Sequence, residues 1–165
     1  MARDTLKALA RRIGARLKKR NLKLATAESC TGGWVAQAVT SVSGSSAWFD
    51  RGFVTYSNEA KKELLGVRAR TLSRHGAVSR ETAKEMAAGA LARSRAQVAI
   101  AVTGVAGPSG GTKAKPVGTV CFAWSRKRGA MESVTRHFHG GRERVRLQSV
   151  VLALKGLLER LEEAG

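Results

Sequence analysis

Residues 22–42 read LKLATAESCTGGWVAQAVTSV. Leu22 to Glu28 predict a short strand that runs directly into Ser29-Cys30-Thr31-Gly32-Gly33. Helical spacing then resumes at Trp34 and continues to Val42. A strand turning at once into a helix sets the polar side chains of the turn beside the unpaired N–H groups of the helix start. This is the unit from which α/β folds are assembled.

The pattern extends outward in both directions. Before it, Leu6, Leu9, Ile13 and Leu17 fall on one face of a helix over 5–20, with Asp4 as its expected N-cap and Lys7, Arg11, Arg12, Lys18 and Lys19 opposite. After it come a turn at Ser43–Ser46 and a strand over 48–57. A helix capped by Asn58 follows, from Glu59 to Leu65, and Gly66 closes it. Ser79 opens a further helix to Arg93 with Ala83, Met86, Ala87, Ala90 and Leu91 inward. The run QVAIAV at 97–102 is continuously apolar from Val98 onward, as a strand buried on both faces requires. A glycine-rich loop is expected from Thr103 to Pro116. Strands follow near 117–125 and 130–138, joined at the basic turn Arg126-Lys127-Arg128-Gly129. A last helix, about 142–161, buries Val145, Val150, Leu154, Leu157 and Leu158. The expected fold is a three-layer α/β/α sandwich with a mixed, mostly parallel central sheet, in one domain over residues 1–165.

With 165 residues, 43% hydrophobic and 25% charged, the chain has the composition of a folded domain rather than a disordered one. No apolar run reaches the roughly 18 residues of a membrane span, and no apolar leader stands at the N-terminus. A cytoplasmic location is expected, with no membrane partner. Cys30 and Cys121 are too few for a disulfide framework. His137 and His139 flank Phe138 at a spacing that would suit two metal ligands, but no third ligand accompanies them, and no metal site is expected. The net charge of +18 favours anionic partners. Nucleic acid is a possible partner on charge alone. It is disfavoured because aromatics are only 5% and stacking rings are not interleaved with the cations.

Three segments carry candidate chemistry. In the first, Ser29 is a nucleophile placed beside orphan N–H donors, with Cys30 as a rival whose thiol a helix N-terminus would activate; a plain helix cap is the structural alternative. In the second, Tyr56-Ser57-Asn58-Glu59-Ala60-Lys61, the lysine can serve as a base if burial and the helix start favour its neutral form. The third runs from Thr103 through Gly104, Gly107 and Gly111 to Lys113 and Lys115. It leaves the most buried strand, and its N–H groups could cradle an anion.

Taken together, AESCTGGWVA, GSSAWFDRGFVTYSNEAK, HGAVS, VTGVAGPSGGTKAKPVGTV and GRERVR closely resemble the CinA C-terminal domain family, the PncC-type nicotinamide-nucleotide amidases, over roughly residues 23–150. The resemblance implies hydrolysis of nicotinamide mononucleotide to nicotinic acid mononucleotide and ammonia, with no metal or cofactor, by a homo-oligomer of dimer size or larger. It implies a serine–lysine pair at Ser29 and Lys61, an assisting Tyr56, and Thr103 beside the substrate. Substrate contacts fall to Cys30, Thr31, Gly32, Gly33, Gly104, Gly107 and Gly111, with Arg142 and Arg144 available for phosphate. Where the family has Gly-Asp-Arg this chain has Gly140-Gly141-Arg142, and it is expected to be the stand-alone form, without the nucleotide-hydrolysing domain fused to some relatives.

Overall fold

The computed structural model describes residues 1–163; Ala164 and Gly165, which the expected domain includes, lie outside the described residues. In chain order the elements are α1 (Ala2–Lys19), β1 (Leu24–Glu28), α2 (Trp34–Thr40), β2 (Phe49–Val54), α3 (Asn58–Leu65), α4 (Ala69–His75), α5 (Arg80–Ala92), β3 (Val98–Gly104), β4 (Thr119–Arg126), β5 (Met131–His137) and α6 (Arg142–Glu163). A 3-10 turn at Ser45–Ala47 occupies the end of the expected 43–46 turn.

The sheet order is β2-β1-β3-β4-β5. β2, β1 and β3 are parallel, and β4 and β5 add antiparallel, so the expected mixed sheet and C-terminal hairpin are both present. Parallel neighbours need crossover connections, which α2 supplies between β1 and β2 and α3–α5 supply between β2 and β3. The helices divide between the faces, giving three layers.

Side-chain size alternates along the central strands. Leu24, Ile100, Val102, Phe122 and Trp124 point to one face, where Leu6, Ile13, Leu17, Val35, Leu154 and Leu157 of α1, α2 and α6 complete a bulky core. Ala25, Ala27, Ala99, Ala101 and Ala123 point to the other, against Ala83, Met86, Ala87 and Ala90 of α5. Small side chains let the second layer approach closely. At Gly89 of α5 a Cβ would collide with the backbone carbonyl of Leu65, the last residue of α3, so this glycine sets how near the two helices lie.

Some boundaries differ from expectation. α1 starts earlier and Met1, not Asp4, is its N-cap; Asp4 lies in the first turn. There its charge still complements the positive end of the helix. Ser57 rather than Asn58 caps α3, its Oγ accepting from the Ala60 N–H at 3.0 Å. α4 has no counterpart in the sequence reading, because only Thr71 of its seven residues is buried and no apolar stripe marks it. β3 retains Thr103 and Gly104, so the glycine-rich loop begins at Val105.

Candidate active site

β1 delivers the site. Its alternation sends Ala25 and Ala27 to the small-residue face, and the ladder continues one residue further, since the Ser29 N–H donates to the Val102 carbonyl at 2.9 Å. Ser29 therefore belongs to the face that α3 covers. From α3 comes Lys61, 1% exposed, with its Nζ 2.9 Å from Ser29 Oγ. The same Nζ donates to the carbonyls of Thr55 at 3.0 Å and Tyr56 at 3.1 Å. None of the three partners is an anion. Burial dominates and lowers the Lys61 pKa from 10.5 to about 8. A lysine that the sequence alone would place in solvent is thus buried against a serine.

The two carbonyls also set direction. A neutral amine has two N–H bonds and one lone pair; with Thr55 and Tyr56 taking the hydrogens, the lone pair is left for the Ser29 hydroxyl.

Cys30 is a correction. Its thiol is not activated: it is 6% exposed, belongs to the bulky core on the opposite face, and burial pushes its pKa up to about 12. Of the two rivals in the turn, only Ser29 meets a base. Tyr56 is also placed differently from expectation. Its ring is 61% exposed and its hydroxyl accepts from Arg142 Nη2 at 3.1 Å, while its backbone carbonyl is what reaches Lys61 and Ser29. Thr103 lies on the strand beside Ser29, with its hydroxyl donating to the Ala77 carbonyl at 2.8 Å.

Arg142 bridges two segments, reaching the Gly107 carbonyl at 2.8 Å as well as the Tyr56 hydroxyl. Arg144 is exposed and lines a groove along α6 with Leu147, Val151 and Leu152. The loop glycines serve packing: a Cβ at Gly107 would strike Val117, one at Gly111 would come 2.7 Å from the Val117 N, and Gly104 lies against Val120 and the Thr119 carbonyl. Lys115 donates from Nζ to the His75 carbonyl, tying this loop to the end of α4. At Gly141, where the resemblance implies an acid, a Cβ would meet no atom within 4 Å.

Three residues escaped the sequence reading. Thr55 acts through its carbonyl, which no side-chain pattern announces. Glu28 and Arg146 hold the turn around Ser29; a carboxylate ending an otherwise uncharged strand was the available signal for Glu28.

The profile of the family described as CinA C-terminal domain matches residues 6–161. The nicotinamide-nucleotide amidohydrolase PncC of Escherichia coli (strain K12) is 52% identical over 159 residues, covering 95% of each chain. A crystal structure of the competence/damage inducible protein CihA from Agrobacterium tumefaciens superposes with a TM-score of 0.91 at 50% identity, covering 96% of both chains. The competence damage-inducible protein A from Klebsiella pneumoniae gives 0.93 at 43% identity, over 97% of this chain and 99% of that one.

Proposed function

The chain belongs to the CinA C-terminal domain family, and from that premise we propose that Ser29 and Lys61 carry out its chemistry. It is a nicotinamide-nucleotide amidohydrolase, converting nicotinamide mononucleotide to nicotinic acid mononucleotide and ammonia. The observation that carries the assignment of residues is the contact between a buried lysine and a serine at the end of a strand.

Lys61, neutral and oriented by the Thr55 and Tyr56 carbonyls, accepts the Ser29 proton as Oγ attacks the carboxamide carbon. The two carbonyls then hold the ammonium that forms. The Gly32 N–H returns to the Ser29 carbonyl at 3.0 Å, closing a turn. The Cys30, Thr31 and Gly33 N–H groups find no backbone acceptor among the described residues, and the donors for the oxyanion come from this set. Such donors contribute about 3–4 kcal/mol each. The ammonium gives its proton to the leaving amine, ammonia departs, and water activated by Lys61 releases the acid from the acyl-serine.

Arg142, which bonds the hydroxyl of the same Tyr56 whose carbonyl meets Lys61, is the cation assigned to the substrate phosphate; Arg144 stands farther along α6. We read residues 1–165 as one cytoplasmic domain that assembles as a homo-oligomer of dimer size or larger, an expectation consistent with the half-buried apolar row Leu147, Val151 and Leu152 along α6. The deciding measurement is ammonia release from nicotinamide mononucleotide against free nicotinamide, for the unaltered protein and for Ser29→Ala. Turnover of the nucleotide that disappears in the variant is expected; a fully active Ser29→Ala protein overturns the residue assignment.

A further inference from the structure

The turn that presents Ser29 has an unusual support. α2 begins after Gly33, which offers no side-chain cap. Its first N–H groups must still find acceptors, because an orphan donor shut away from water costs about 1–3 kcal/mol. Glu28 supplies them from five residues upstream. One carboxylate oxygen accepts from the Thr31 hydroxyl at 2.6 Å and the Val35 N–H at 2.8 Å; the other accepts from the Ala36 N–H at 3.1 Å. The side chain is 1% exposed. An acid with that burial is tolerated only when its oxygens are hydrogen-bonded, and a carboxylate, having no donor of its own, fits three converging donors.

The consequence lies on the neighbouring residue. Glu28 points to the bulky face and Ser29 to the small-residue face, so the carboxylate touches neither Lys61 nor the place where substrate reacts. What it fixes is the path between them: strand end, Ser29, Cys30, Thr31, helix start. From the outside, Arg146 completes the brace, donating to the Cys30 carbonyl at 3.1 Å and the Thr31 carbonyl at 3.2 Å while its guanidinium stands over the Trp34 ring. The Val35 and Ala36 donors are consumed by Glu28 and the Trp34 donor by the Thr31 carbonyl, which leaves those of Cys30, Thr31 and Gly33 for the reaction.

We infer that Glu28 is the positioning residue of the nucleophile: its buried carboxylate, through Thr31 and the start of α2, holds the Ser29 turn in the conformation where Oγ meets Lys61 and the adjacent N–H groups face the oxyanion. The inference rests on the reading of Ser29 and Lys61 as the reacting pair.

The test compares Glu28→Gln, Thr31→Val and Thr31→Ser with the unaltered protein, and includes Ser29→Ala. Glutamine keeps the shape of Glu28 but turns an NH2 toward one of the three donors. With the nucleophile displaced, kcat is expected to fall on the order of 10²-fold while KM stays within about threefold. Thr31→Val removes one hydroxyl at constant volume and should lower kcat about tenfold; Thr31→Ser, which restores the hydroxyl, should recover most of it. Lower melting temperatures with unchanged kcat per folded molecule would make Glu28 a stability residue only and overturn the inference. If Glu28→Gln does not fold, the valine–serine pair at Thr31 decides alone: no difference in kcat between them also overturns it. A failure of the underlying pair is distinguishable, because Ser29→Ala would then remain active whatever Glu28 and Thr31 do.

Discussion

The two faces of the sheet are built from the same three strands and do different work. On one face Leu24, Ile100, Phe122 and Trp124 meet large side chains from α1, α2 and α6. Aromatic rings fit there because the helix facing them gives way: at Gly156 of α6 a Cβ would strike Trp124, whose Nε1 donates to the Ala153 carbonyl at 3.0 Å. On the other face the strands offer alanines, and α5 comes close. Burial of large side chains stabilises more per residue, about 1.5–3 kcal/mol each, so the bulky face holds the fold. The alanine face gives up part of that stabilisation and gains space in which a lysine amine, a serine hydroxyl and two carbonyls can crowd together. With Ser29 and Lys61 as the proposed reacting pair, stability and chemistry are separated by side-chain parity along each strand.

The sharpest way to break this division is at the amine. Lys61→Arg retains a cation but cannot deprotonate, and its planar fork does not fit between the Thr55 and Tyr56 carbonyls. Turnover should fall by about 10³-fold or more, as with Lys61→Ala, since a positioned general base contributes about 10²–10⁴-fold. The unaltered enzyme should gain activity with rising pH along a limb near 8, where burial has set the amine. Stability carries the matching signature. Between about 8 and the ordinary 10.5 the unfolded lysine is protonated and the folded one is not, so stability should rise with pH across that window. A kcat flat from pH 6 to 10 with chemistry limiting would remove Lys61 from the role of base.

Next in size is Gly89→Ala, on the helix packed against the one that carries Lys61. The added methyl strikes the Leu65 carbonyl and must push α3 outward, carrying Lys61 from Ser29. A displacement on the order of 1 Å should cost about 10²-fold in kcat. The overpacking itself should destabilise by about 1–3 kcal/mol. Kinetics on protein confirmed as folded by circular dichroism would separate the two effects. An unchanged kcat would show that the close approach of α5 does not set the site.

Much of this plan is legible in the chain. QVAIAV displays the alternation of large and small residues directly, and Ser79 and Gly66 mark helix ends by rules that need no neighbours. The pairing of Ser29 with Lys61 came from the resemblance; composition alone favours a solvated lysine. What stayed hidden is what depends on tertiary contact. Tyr56 looks like a phenol in waiting, yet its carbonyl faces the amine while its hydroxyl meets Arg142 from the far end of the chain. Cys30 looks like an activated thiol at a helix start. Its burial on the opposite face follows from parity that becomes certain only once Ser29 is seen to extend the ladder.

On the bulky face the expected outcome reverses. Leu154→Ala leaves a cavity under fully buried neighbours and should cost about 2–5 kcal/mol in a denaturant titration. Turnover per folded molecule should change by less than about threefold, because the hydrogen bonds that hold the Ser29 turn from that face come from Glu28 and Arg146, not from Leu154. A large fall in kcat for a stable, folded Leu154→Ala protein would mean that the two faces are coupled rather than divided.

The smallest effect is predicted one residue from the nucleophile. Cys30 and Ser29 are adjacent in sequence and lie on opposite faces, so they test the division over a single Cα–Cα step. Alanine at Cys30 keeps the backbone N–H assigned to the oxyanion and removes only a sulfur packed in the bulky core. The cost should be about 1 kcal/mol of stability, with kcat within about twofold of the unaltered enzyme. Thiol reagents supply an independent check. Burial, with the Glu28 carboxylate adding to it, holds the Cys30 pKa near 12, so at pH 8 only about one molecule in 10⁴ carries the thiolate that alkylation requires. Labelling by iodoacetamide should therefore be slow, and activity should outlast it. Rapid alkylation of Cys30 with parallel loss of turnover, abolished in Cys30→Ala, would place the thiol on the reacting face and undo the separation from which the other predictions descend.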